Sequence, residues 1–376
     1  MSSEGQTPPA NRASKANIVS VLRGEVVAGE LPLGSRLPNR RELGRRFSAS
    51  SVTVQRAMDR LMQDGFVYAD GPNGTFVSPY PPHLYRYGLL FPSQPADPNQ
   101  WRRFAATLCD EARHLDPETH RTIAIYYNIN AHADSDDYRR LLRDLRTQRL
   151  AGLIIVDNPS RLIGTPILEE DAPPRVAIME EPGLPKSPAL GHDAHSFIDK
   201  ALDHLQQQGR RNIAILTGEH PAGLGFHDYL MSALAARDMV LRPYWLQGVF
   251  VGHPELAHNL MWLMMNPQQD QRPDGLIIYD DNLVEDAVAG LIDSGVRVPQ
   301  DLDIVVHANF PWTIPTAIPV ARIGYHAGRT LDACLDLIER QRRGESVPRL
   351  SQMPAIEEEH ASAHIAPAEL QTVGAV

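Results

Sequence analysis

Cysteine is almost missing from this 376-residue chain: Cys109 and Cys334 are the only two, too few for a disulfide framework. Both fall in helix-like contexts and read as packing residues. Lysine is nearly as scarce, with Lys15, Lys186 and Lys200 the whole supply. No run approaches the roughly 18 apolar residues of a membrane span. The opening MSSEGQTPPANR has no apolar stretch of a secretion leader. These absences lead to the expectation of a cytoplasmic protein. No nucleophile–base set stands out, so no catalytic residues are expected. The 15 histidines include His192, His195 and His204, which are scattered and never pair at a metal-site spacing, so no metal is expected.

A length of 376 residues implies two or three compact units, and the charge is divided between them. Residues 1–80 hold 10 Lys+Arg against 7 Asp+Glu, a net of +3, whereas the remainder holds 26 against 39, a net of −13. A solvated helix face could account for Arg40, Arg41, Arg45 and Arg46, but not for their segregation from an acidic remainder.

Around those arginines the pattern is of short helices followed by a hairpin. Asn39 and Glu42 have the spacing of a capping box and open a helix over residues 40–47. Ser50 can cap the next helix, whose Val54, Ala57, Met58 and Leu61 repeat at helical spacing. Gly65 stops it, and Phe66-Val-Tyr and Thr75-Phe-Val flank a Gly/Pro/Asn turn suited to a two-stranded wing. Ile18, Leu22, Gly29, Leu31, Gly34, Leu37-Pro38, Leu43, Ser50, Thr53-Val54, Ala57-Met58, Leu61, Gly65 and Gly74-Thr-Phe-Val77 stand at the fixed spacings of one family. The stretch resembles the DNA-binding domain of the GntR family, a winged helix-turn-helix. That resemblance implies binding to double-stranded operator DNA, with the second helix in the major groove. The DNA-contacting set expected is Arg40, Arg41, Arg45, Arg46, Ser50, Ser51, Thr53, Gln55, Asn73, Gly74 and Thr75. Ser51 and Gln55 replace two arginines of the family pattern, and Pro72 replaces the first wing glycine. The fold therefore carries over, while the operator sequence does not.

Beyond the proline-rich 79–85, apolar runs alternate with amphipathic stretches. Strands are expected at 87–91, 122–127, 152–156, 175–179, 212–216, 275–279 and 303–306. Helices are expected at 101–114, 136–147, 195–208, 224–237, 254–265, 281–294 and 325–343. Continuous Ile, Leu and Val runs suit strands buried on both faces, so the fold class expected is α/β, with parallel sheets flanked by helices. Ligands of such sheets bind beyond the carboxyl ends of the strands. Asp193 with His204-Leu205, Pro273-Asp274-Gly275, and Gly295-Val-Arg-Val-Pro299 with Asp301-Leu-Asp-Ile-Val-Val306 carry a second likeness. This part resembles the effector domain of LacI/GalR regulators, which is periplasmic-binding-protein-like and two-lobed. A GntR head on such a body is the arrangement of arabinose-repressor-like proteins. The boundaries expected are a disordered lead-in at 1–13, the winged helix at 14–78, a linker at 79–85 and the effector domain at 86–357. Lobe 1 is placed at about 84–191 plus 324–343, lobe 2 at about 192–320 plus 349–357, and a flexible tail at 361–376.

The resemblance implies ligand contacts at Ser93, Glu180, Phe226, Phe250, Asp280 and Asn309. Each has a plainer reading. Asp280 or Asp281 can be a helix cap, Phe250 lobe packing, Asn309 a turn and Ser93 a cap, and Glu181 competes with Glu180. The family's ligand-binding arginine falls on Ala222 or, with the helix slipped by one turn, on Phe226. A hexose clamped by Arg and Asp therefore does not carry over. A ligand-responsive transcription regulator follows, a repressor acting as a homodimer on a palindromic operator with a sugar-like or other small-metabolite effector. The alternatives are a GntR-headed body binding pyridoxal phosphate through lysine, or a non-exported solute-binding protein. Lys15 lies in the head, Lys186 in a loop and Lys200 in a surface helix. No cofactor is expected.

Overall fold

The computed structural model describes residues 14–97, 100–130, 134–169, 171–218, 225–362 and 370–372. The lead-in 1–13, Ala222 and most of the tail at 361–376 lie outside the described residues. The head consists of helices Lys15–Val27, Arg40–Arg46 and Ser51–Gln63 followed by the antiparallel hairpin Val67–Ala69 and Thr75–Val77. Its core is the apolar stripe read from the sequence: Ile18, Leu22, Leu43, Val54, Ala57, Leu61, Phe66 and Val77 are buried together. Asn39 caps the second helix, its side chain accepting from Arg41 N and Glu42 N, while Glu42 accepts from Asn39 N at 2.7 Å.

The body contains two sheets. The first orders its strands as Gln371–Thr372, Leu350–Met353, Ala189–His192, Arg175–Ile178, Gly152–Ile155, Arg86–Leu90 and Thr122–Tyr126. The second runs Ile356–Glu357, Ala321–His326, Asp303–Phe310, Gly275–Ile278, Ile213–Thr217 and Leu246–Gly248. Neighbours pair in parallel except at the edge strands Gln371–Thr372 and Ile356–Glu357. The inner strands are buried along their length, as their continuous apolar runs require.

The chain changes sheet four times, the last time to reach the edge strand Gln371–Thr372 of the first sheet. After Ala189–His192 it enters helix Ala194–Gln207, which packs on the second sheet. After Ala321–His326 it returns through helix Ala327–Arg342, whose Leu331, Cys334, Leu335 and Ile338 join the first core. Leu350–Met353 then completes the first sheet before Ile356–Glu357 reaches the second.

Two expectations are corrected here. The closing segment 349–357 does not belong to lobe 2 alone: Leu350–Met353 pairs in parallel with Ala189–His192 of the first sheet. The helix expected from Tyr325 begins at Ala327, because Ala321–His326 is a strand whose Gly324 lies so close to Ala308 that a Cβ would sit 1.9 Å from its carbonyl oxygen. Strand Ala189–His192 escaped the sequence reading because it is short and contains Gly191. The segment 79–85 is packed rather than slack. Pro82–Tyr85 forms a helical turn, His83 stacks on Phe66 at 5.7 Å, and Arg342 donates to Leu84 O at 3.2 Å.

Candidate functional sites in the head and between the lobes

On the head, Arg40, Arg41, Arg45 and Ser51 line one open depression with Gly44 and Ala49. Arg46 points elsewhere: it forms an ion pair with Glu25 of the first helix and lies 5.0 Å from the Phe47 ring. Ser50 caps the Ser51–Gln63 helix, its Oγ accepting from Thr53 N at 3.2 Å and lying 2.9 Å from Thr53 Oγ1. Gln55 donates to Asp59 Oδ1 at 2.6 Å, so it must exchange that partner to read a base. In the wing, Asn73 donates to Asp70, and Gly74 takes φ 113°, a region that disfavours side chains. A Cβ at Gly74 would meet Arg36 Nε at 2.9 Å, so the Arg36 side chain lies along the wing. Thr75 opens the returning strand and accepts from Leu37 N at 2.8 Å. Sequence reasoning passed over Arg36 and the exposed Val52 and Arg56 of the recognition helix. Arg56 was recoverable, since it directly follows Gln55.

In the body, residues from both sheets meet at the carboxyl ends of their strands. Glu180, two residues past strand Arg175–Ile178, accepts from His192 N at 3.1 Å. Its carboxyl is pushed up to about 7, first by burial and then by Asp193. Glu180 is nevertheless exposed, so its carboxylate lies in an open part of the cleft. Glu181 is exposed. The His192 ring stacks on Tyr325 at 4.2 Å, meets Phe104 edge-on at 5.2 Å and has Nε2 3.3 Å from Thr330 Oγ1. Burial holds His192 at about 3 and His307 at about 4, so both imidazoles are neutral at pH 7. The phenols of Tyr279 and Tyr325 are raised by burial, and then by charges that include Glu180 and Asp193. Tyr325 donates to Asp193 O at 2.8 Å.

The six expected ligand positions fall into two groups. Glu180, Phe226 and Asp280 gather around Tyr279: Phe226 is buried with its ring 5.8 Å away, and the Glu180 and Asp280 charges both raise the phenol. Asp280 Oδ1 accepts from Asn282 N at 2.9 Å and Asn282 Nδ2 at 2.7 Å, so Asp280, not Asp281, is the cap. Its Oδ2 lies where a Cβ on Gly218 would come within 2.7 Å. Asn309 is buried and donates to Asp281 Oδ2 at 2.8 Å, and burial, ahead of any charge, pushes the Asp281 carboxyl up to about 7.

Phe250 is 44% exposed, its ring lies 5.8 Å from His253, and Val251 is the residue of that loop beside Gly218. Ser93 is buried, with Oγ 3.5 Å from Gln100 O. Its neighbour Pro92 lines a separate cavity of about 170 Å³ in the first lobe, with Gln100, Asn130, Asp157, Asn158 and Arg161 among others. Sequence reasoning missed His192, Tyr279, His307 and Tyr325 as cleft residues. His192 and Tyr325 sit on strands it had not drawn; Tyr279 and His307 were recoverable from strand ends that it had.

The lobes also touch directly. Arg103 N donates to Asn282 Oδ1 at 3.1 Å, and the Arg103 guanidinium lies 3.3 Å from Glu285. As for metals, among the described residues one surface group, Glu357, Glu359 and His360, brings its ligand atoms within 4.8 Å of one another. Exposed acidic groups of this kind are common without an ion. Lys200 lies 3.5 Å from Glu357 on the helix surface.

Comparison with known proteins fits this division of the chain. Residues 14–77 match the family of bacterial regulatory proteins, gntR family, and residues 202–354 match the periplasmic binding protein-like domain. Among curated proteins, the HTH-type transcriptional repressor PurR of Erwinia tasmaniensis is 28% identical over 196 residues, 48% of this chain and 53% of that protein. The PurR repressor of Yersinia enterocolitica is 27% identical over 192 residues, with the same shares. The chain thus spans about half the length of the curated relatives it matches. Among solved structures, a LacI regulator from Lactobacillus casei with bound Tris has a TM-score of 0.53 at 18% identity, covering 74% of this chain and 97% of its own. A LacI transcriptional regulator from a Rhodococcus species has a TM-score of 0.55 at 17% identity, covering 72% and 96%.

The fold and these matches define a class, a winged helix-turn-helix joined to a two-lobed parallel α/β body. More particularly, the chain joins a head that matches the gntR-family model to a body that matches the periplasmic binding protein-like model and has the fold of the solved LacI regulators.

Proposed function

We propose that this protein is a ligand-responsive, DNA-binding transcription regulator, a repressor whose small-molecule effector binds between the lobes and alters operator affinity. The observation that carries this reading is the exposed face formed by Arg40, Arg41, Arg45 and Ser51 at the start of the recognition helix, on a head that matches a family of bacterial regulators. The arginines supply phosphate contacts, and the first turns of the helix, with Ser51, Thr53 and Gln55, supply base contacts. Asn73, Gly74 and Thr75 bring the wing, with Arg36 beside it, to the flanking backbone.

The effector site proposed is the recess around Glu180, Tyr279, Asp280 and Phe226, between the strand ends of the two sheets. Asn309 acts behind it, fixing Asp281. A sugar or related small metabolite is the ligand class, supported by LacI regulators of this fold from Lactobacillus casei solved with bound glucose and with bound sucrose. A ligand that binds the closed form better favours closure across the Arg103–Asn282 contact. The chain acts as a cytoplasmic homodimer, two heads meeting two half-sites. The winged head, linker and effector domain span 14–78, 79–85 and 86–357. No catalytic step is assigned to it.

Selection of DNA from a random library by the full-length protein tests the reading. Enrichment of a palindromic site, bound at least 100-fold more tightly than random DNA, is expected. Enrichment of nothing would overturn it.

A further inference from the structure

The head is joined to the first lobe by more than a tether. In Ser78-Pro-Tyr-Pro-Pro-His83 three of the six residues are prolines, whose rings fix φ and stiffen the segment. Pro81 and Pro82 are buried, and Pro82 begins the helical turn Pro82–Tyr85. On the head side, a Cβ at Gly65 would lie 3.7 Å from Pro82 Cδ, an ordinary contact distance. His83 stacks on the fully buried Phe66 with the two rings 10° from parallel. Gly65 and Phe66 directly follow Asp64, the cap of the recognition helix, so the turn is pressed against that helix's end. On the body side, Tyr80 stacks on His120 of the first lobe at 3.6 Å and meets Tyr85 edge-on at 5.2 Å. Arg342 holds Leu84 O at 3.2 Å. A second bridge bypasses the segment: Arg149 of the first lobe lies 3.7 Å from the buried carboxylate of Asp64. Among the described residues it is the one ion pair that joins the head to the body. Two separate attachments remove the rotation that a single tether leaves free, and the proline-fixed turn has little backbone freedom to regain.

We propose that the head and the first lobe form one rigid body, so that an effector moves the recognition helix only by turning the first lobe against the second. This rests on the reading of the protein as a ligand-responsive regulator and names how its signal travels. The segment 79–85 keeps its structure with and without DNA, and switching is a rigid-body rotation rather than an order–disorder change of the linker. In a two-headed assembly the angle between the lobes then sets the spacing of the heads.

Distances within one chain test this in full-length protein, by pulsed electron paramagnetic resonance on spin-labelled chains diluted with unlabelled ones. Ser20→Cys on the head and Arg143→Cys on the first lobe place labels at exposed positions, whereas Cys109 and Cys334 are buried. The head–lobe distribution should be as narrow as that of a pair within the first lobe, Arg113→Cys with Arg143→Cys, and should not change when a random-sequence duplex or the selected operator is added. A distribution broader than this control, or one that DNA shifts, overturns the proposal. Inserting Gly-Ser-Gly-Ser-Gly-Ser between Ser78 and Pro79 together with Arg149→Met cuts both attachments. That variant should give a broad distribution and bind the palindromic operator about tenfold more weakly, with a single half-site bound within about threefold of wild type. Undiminished affinity for the palindrome also overturns the proposal. If the wild type selects no palindrome, the regulator reading fails, and the label distances still decide whether the head and the first lobe are one body.

Discussion

Arg149 of the first lobe places its guanidinium 3.7 Å from the carboxylate of Asp64, the residue that ends the recognition helix. Asp64 is buried and also receives Arg60 at 2.9 Å, while Arg149 pairs with Asp144 at 3.1 Å. Asp144 continues the network to Arg86 and to the hydroxyl of Tyr126. A chain of charges thus runs from the DNA-reading helix into the sheet whose far end borders the recess.

Arg149→Met should weaken this link without emptying it, since Asp64 keeps Arg60. The expected cost is about 1–2 kcal/mol of stability, below that of breaking a fully buried pair. The more telling readout is coupling. Operator affinity without effector should stay within about threefold of wild type, and the effector-induced change should shrink, as measured by fluorescence anisotropy.

Gln55→Ala should reduce discrimination at one operator position by roughly 1–3 kcal/mol while leaving affinity for random DNA intact. Arg45→Ala should weaken specific and random binding alike and lower the salt slope by about one. Arg46→Ala should do less, because Glu25 already holds that guanidinium. Equal losses on both DNAs for Gln55→Ala would remove it from the base-reading set.

Asp281 offers a stability test with a definite sign. Its folded carboxyl lies near 7, above its ordinary value, so the folded state holds a proton that the unfolded state has lost. Stability from this group therefore falls as pH rises from about 4 to 7 and stays low above that. Asp281→Asn keeps the polar contact with Asn309 and removes the charge. Its advantage over wild type should grow by roughly 2 kcal/mol between pH 5 and 8 in urea unfolding. A constant difference across that range would contradict the burial argument.

Much of this molecule was legible from spacing. The Asn39–Glu42 capping box, the Ser50 cap and the stripe from Val54 to Leu61 are local signals, and local chemistry decides them. The parallel strands were legible because double burial demands continuous apolar runs. The recess was not, because it depends on which strands lie side by side. Partners in Ala189–His192 and Leu350–Met353 are 161 residues apart by the register that pairs Gly191 with Gln352 and its neighbours, and no local pattern announces that partnership. Glu180 and Asp280 were found through family positions. His192 was not, since it sits on a short strand that no local pattern announced, whereas His307 follows directly on an expected strand and was passed over. Phe250, also carried over by family position, is exposed in a loop whose Val251 lies beside Gly218.

The central claim is that ligand binding in the recess and DNA binding at the head are coupled. The most direct measurement is the affinity of full-length protein for its selected operator as the compound that most raises its thermal stability is titrated in, repeated with Asp280→Ala. The account predicts a shift of at least fivefold in wild type, lost in Asp280→Ala while operator affinity without the compound is retained. Unchanged operator affinity at saturating compound, or an unaltered response in Asp280→Ala, would contradict it.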